Sequence, residues 1–81
     1  MPRIVLSGPL KMAAGGLGEF DMEAKDIRDL LTQLGEAYPA LKPIIEKGVA
    51  VSIDGQIYRD AWFEQIPAGA EVHVLMPLAG G

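Results

Sequence analysis

Glu71-Val72-His73-Val74-Leu75-Met76-Pro77-Leu78-Ala79-Gly80-Gly81 closes the 81-residue sequence, and its reading decides the fold. Val72, Val74 and Met76 alternate with His73 and Leu75, which is the period of a strand with two unlike faces. The run is uninterrupted and mostly apolar, so it suits a central strand beside the first strand of the chain. Pro77 ends it, because proline has no N–H to give to a ladder. Residues 77–81 are expected to form a flexible tail that reaches at most about 17 Å when extended. Gly80 and Gly81 have no Cβ and can enter a slot too narrow for any other residue. A chain that stops at Gly81 also carries a carboxylate there.

Working outward, Ile4-Val5-Leu6-Ser7 is a β-rich run that Gly8-Pro9 ends, which predicts a first strand at about 3–8. The glycine-rich stretch Lys11–Gly18 reads as a loop or wide hairpin connection. No Gly-Lys-Ser/Thr follows it, so it is not a phosphate loop. Glu19-Phe20-Asp21-Met22-Glu23 alternates strictly and predicts a strand with Phe20 and Met22 on the core side, paired antiparallel with the first.

Asp26 is positioned to cap a helix, with Asp29 near the capping-box position. Ile27, Leu30, Leu31, Leu34 and Tyr38 fall on one helical face, and Pro39 ends the helix near residue 37. Gly35, inside it, marks either a close approach to another element or an early helix end. Residues 39–48 read as a connection holding one short turn, with Leu41, Ile44 and Ile45 inward. Val49–Ile53 is the strongest strand, with Val49, Val51 and Ile53 on one face. Asp54-Gly55 signals a hairpin turn, and residues 56–59 the return strand. Asp60–Pro67 reads as an irregular turn with Trp62, Phe63 or Ile66 anchored inward, the aromatic pair as core. Two antiparallel hairpins flanking one helix predict a two-layer α+β domain over residues 1–81. Its mixed sheet has four to five strands, with one main helix packed on one face: the β-grasp, or ubiquitin-like, arrangement.

Composition narrows the function. Apolar residues make up 49% of the chain and charged residues 22%, the balance of a globular domain. There is no cysteine, hence no disulfide and no thiolate nucleophile or metal ligand. No apolar run is long enough to span a membrane, and residues 1–4 do not resemble a signal peptide, so the expected compartment is the cytoplasm. Seven Lys and Arg lie scattered among eleven acids, giving a net charge of −4 and no basic patch for nucleic acid. His73 is the lone histidine, and no spacing supplies a zinc site. Ser7 and Ser52 lack the context of a nucleophilic serine. No catalytic constellation emerges, and no metal or bound cofactor is expected. The group best placed for chemistry is the carboxylate of Gly81.

The chain resembles the ubiquitin-like sulfur carriers, a group that includes the small subunit of molybdopterin synthase and the carrier of thiamin-thiazole synthesis. The similarity rests on Ile27-Arg28-Asp29-Leu30-Leu31, Tyr38-Pro39, Val49–Gly55, Ile66–Val72 and, most specifically, Met76-Pro77-Leu78-Ala79-Gly80-Gly81. It implies a protein substrate rather than an enzyme. An E1-like enzyme would adenylate Gly81 with ATP and magnesium. A sulfur donor such as a cysteine desulfurase or rhodanese-type protein would then convert it to a thiocarboxylate. A sulfur-accepting synthase would receive the tail, with Pro77, Leu78, Ala79 and Gly80 in its channel and Leu75 and Met76 on its surface. The resemblance leaves the pathway open. It equally leaves open a molybdopterin synthase subunit, or a modifier joined through Gly81 to lysines.

Overall fold

The computed structural model of the protein describes residues 1–76. Five strands, β1 (Arg3–Leu6), β2 (Glu19–Asp21), β3 (Ala50–Ile53), β4 (Gln56–Tyr58) and β5 (Glu71–Leu75), form one sheet in the order β2-β1-β5-β3-β4. The first and last strands pair in parallel, with Ile4 opposite Val72 and Leu6 opposite Val74. All other neighbours are antiparallel. The last strand is therefore central, as its apolar alternation requires. Its Val72 and Val74 are fully buried, whereas Glu71, His73 and Leu75 turn to the other face.

The main helix, α2 (Ile27–Ala37), covers one face of the sheet. Ile27, Leu30, Leu31 and Leu34 are buried and form one core with Ile4, Leu6, Val51, Val72 and Val74. Asp26 caps the helix in extended backbone, its Oδ1 accepting the Asp29 N–H at 2.8 Å. Asp29 returns the favour one residue upstream of the cap, accepting the Lys25 N–H at 3.0 Å. Tyr38 ends the helix and packs on Phe20 of β2, with ring centroids 6.0 Å apart. Gly35 lies within the helix as a close approach: a Cβ there would sit 3.1 Å from Cγ of Lys42. Asp54 and Gly55 both adopt positive φ, 48° and 90°, which makes the tight turn between β3 and β4.

Five sequence expectations are corrected. The glycine-rich stretch contains a short helix, α1 (Pro9–Ala13), because Pro9 is pre-set for a first helical turn and Leu10 is buried in the core. Residues 39–47 form a 3-10 turn (Pro39–Leu41) running into α3 (Lys42–Lys47), more helix than one short turn. β3 is buried at every position rather than on alternate ones. Register explains this: small Ser52 lies between taller Ile57 and His73, and Ala50 beside Leu75. Of the three candidates for an inward anchor in Asp60–Pro67, Ile66 alone is buried, while Trp62 and Phe63 are 44% and 71% exposed. Finally, the expected strands 3–8, 19–23, 49–53 and 71–76 shorten at their ends. Phe20 and Met22 are half-buried, and Met76 lies just past β5.

Candidate functional site

The site begins where β5 ends. β5 runs between β1 and β3 and is paired on both sides as far as Val74, whereas Leu75 is held by β3 alone, opposite Ala50. Leu75 is half-buried on the face away from α2, and Met76 is 44% exposed. Both proposed docking residues are thus accessible at the exit of the central strand. Pro77, Leu78, Ala79, Gly80 and Gly81, the predicted tail and its modified terminus, lie outside the described residues.

The open sheet face beside this exit is a shallow depression of about 500 Å³, walled by Ile57, Leu75, Ser52 and His73. Its far end is acidic. Asp54 Oδ1 accepts the Glu71 N–H at 2.9 Å, and the Asp54 N–H donates to the Glu71 carbonyl at 2.9 Å. That reciprocal pair staples the β3–β4 turn to the start of β5. His73 Nε2 lies 2.8 Å from Glu71 Oε1, a contact at the surface. The result is an apolar strip near the tail exit, bordered by carboxylates at the opposite end of β5.

The depression has little chemistry of its own. Among the described residues, no group of three or more His, Asp or Glu is placed to hold a metal ion. No helix of the described residues is long and apolar enough to cross a membrane. The Asp29 carboxyl is held below its ordinary range, through the Lys25 N–H and, second, the Gln33 side-chain amide. That is helix-capping geometry on the opposite layer. What the open face offers is an accessible, partly apolar surface next to the end of β5.

In the sequence Ile57 stands only as part of a return strand, and Ser52 only as a serine without nucleophilic context. Their place on the open face, with Ser52 between Ile57 and His73, follows from the register of three strands and has no local signal. Alternation alone assigns Ile57 to a face, but not to a place opposite Ser52.

A five-stranded mixed sheet with parallel first and last strands and one main helix on a single face is a ubiquitin-like β-grasp domain. The chain belongs to the ThiS family, whose match runs over residues 4–81. None of the curated proteins matches the chain. Among solved structures it is similar to small archaeal modifier protein 1 from Methanosarcina acetivorans, with 26% identity and a TM-score of 0.82 over 99% of this chain and 95% of that one. It shares the fold of a chain in the BexX/CysO complex of Amycolatopsis orientalis, with 11% identity and a TM-score of 0.79 over the whole of both chains, 100% each. A chain in the complex of molybdopterin-converting factor subunits 1 and 2 from Helicobacter pylori is 20% identical, with a TM-score of 0.68 over 99% of this chain and 97% of that one. Two of these relatives in fold are thus seen with partner proteins.

Proposed function

We propose that the protein carries activated sulfur on the carboxylate of Gly81. The observation that carries this reading is the family match, which continues through the diglycine to residue 81. The fold supports it, because a central strand anchored on both sides leads directly toward the tail. In this reading a partner enzyme binds ATP and magnesium, and a Gly81 carboxylate oxygen attacks the α-phosphorus. Pyrophosphate leaves and an acyl-adenylate forms. The persulfide of a desulfurase or rhodanese-type donor attacks the carbonyl and displaces AMP, and a thiol then reduces the acyl disulfide so formed, releasing the thiocarboxylate and leaving a disulfide. The resulting thiocarboxylate gives its sulfur to an electrophile in an accepting synthase, and water restores the carboxylate. This chain contributes no catalytic group. It contributes a side-chain-free end, the accessible residues Leu75 and Met76 at the exit of β5, and the open face that Leu75 shares with Ile57, against which both partners dock.

A second reading uses the same adenylate. If a lysine amine attacks in place of sulfur, the product is an isopeptide and the protein is a modifier. The similarity to an archaeal modifier protein favours keeping it. The two readings part at the nucleophile, and the tail serves both. Activation is tested by ATP–pyrophosphate exchange with an adenylating enzyme from the same source. The intact chain supports exchange, whereas Gly81 deletion and Gly80→Val abolish it with the circular dichroism spectrum unchanged. Exchange that survives both changes contradicts the reading.

A further inference from the structure

The helical layer carries a second surface that chemistry at the tail does not use. Trp62 and Phe63 are the bulkiest exposed apolar side chains, and neither joins the core. Their segment is nevertheless firmly tied. The Arg28 N–H donates to the Trp62 carbonyl at 2.8 Å, the Ile27 N–H to the Glu64 carbonyl at 3.0 Å, and the Ile66 N–H to the Lys25 carbonyl at 3.0 Å. The free N–H groups of the first turn of α2 thus hold the loop in place. The Arg28 guanidinium lies over the Phe63 ring, 6.0 Å from its centroid, which orients the ring further.

Together with Leu31, Gly35 and Ile45, the two rings line a groove of about 690 Å³. Arg28, Lys42, Glu36 and Glu46 also line it. Among the described residues, none of these four forms an ion pair within the chain. In a two-fold contact the same patch lies on both sides, so each cation must meet an acid of that same patch. This patch offers two of each sign around an apolar floor. The chain as a whole has a net charge of −4, which sets most of its surface against a second copy. The groove is locally neutral and apolar, and so escapes that repulsion.

We propose that two copies of the chain associate through this groove, with Trp62 and Phe63 of each copy covered by the helical layer of the other. The open sheet face with Leu75 lies on the opposite layer and stays accessible in both copies. The association stands independently of what becomes attached to Gly81.

Trp62 is the single tryptophan, so its emission reports on this groove directly. The test combines sedimentation equilibrium with tryptophan fluorescence from micromolar to millimolar protein. The average mass is expected to rise from one chain toward two while the emission moves to shorter wavelength, with a common midpoint. Phe63→Ser alters an exposed residue outside the core. It should keep the fold by circular dichroism and move the midpoint about tenfold or more to higher concentration. Arg28→Glu/Lys42→Glu and Glu36→Lys/Glu46→Lys should each abolish association alone and restore it when mixed in equal amounts. A protein that stays monomeric at millimolar concentration overturns the proposal. So does a dimer with unchanged tryptophan emission, or one indifferent to Phe63→Ser.

Discussion

Gly35→Ala sets two effects of known size against each other. A glycine inside a helix costs about 0.8–1 kcal/mol relative to alanine, because the unfolded chain has more freedom to lose. Against this stands the close approach to α3: the new Cβ would lie 3.1 Å from Cγ of Lys42 and 3.7 Å from its Cε. Those distances require a shift of a few tenths of an ångström. Lys42 is exposed and its stem is flexible, and no backbone atom of another element lies within 4 Å of the new methyl group. The side chain can swing aside at a cost of about 0.5 kcal/mol or less, the low end for displacing a rotamer. The account therefore predicts a net gain of about 0.5 kcal/mol. In a domain of this size that corresponds to a rise in melting temperature of about 2–4 °C. Thermal and urea unfolding at low micromolar concentration, followed by far-ultraviolet circular dichroism, measure it. A loss of stability would show that Lys42 is fixed in place, and that α2 and α3 approach too tightly for any Cβ.

Three further perturbations reach other parts of the molecule. Asp26→Ala removes the acceptor of the Asp29 N–H at 2.8 Å and should cost about 1 kcal/mol in urea unfolding. The Asp29 carboxyl is held below its ordinary value of 3.8, chiefly by the Lys25 N–H. A lowered folded value means that its contribution is present above 3.8 and is lost as pH falls through the folded value. Asp29→Asn should therefore flatten the acid limb of the stability–pH curve, as read by unfolding midpoints from neutral pH downward, and an unchanged limb would refute the assignment. Leu75→Glu places a charge on the apolar strip but outside the core. It should weaken binding to an adenylating partner about tenfold, or about 1.4 kcal/mol, while leaving the unfolding midpoint near its original value.

What the sequence discloses and what it hides follow different physics. Elements with strong local signals are where the residues place them: the Asp26 cap, the apolar face from Ile27 to Leu34, the Asp54-Gly55 turn and the alternating Val72 and Val74. Each signal reports on a few neighbouring residues, and no tertiary contact competes with it. Long-range burial is less visible. Ser52 is covered by neighbours from β4 and β5, so its own chemistry gives no hint of burial. Trp62 and Phe63 look like core because large aromatic rings usually are core. Ile66 took the inward position instead, and hydrogen bonds to the start of α2 left the rings outside. Pro9 ends one element and starts another, and only the burial of Leu10 decides that a helix follows. At the candidate site, Leu75 and Met76 were legible as the approach to the tail, whereas their neighbours on the open face required the sheet register.

The central claim is that Gly81 accepts sulfur from a partner's chemistry. Its most direct test is intact mass spectrometry after incubation with ATP, magnesium, an adenylating enzyme from the same source and sulfide. The account predicts a gain of about 16 Da, the replacement of one oxygen by sulfur, confined to the C-terminal peptide. An unchanged mass under conditions where the adenylate demonstrably forms would contradict it.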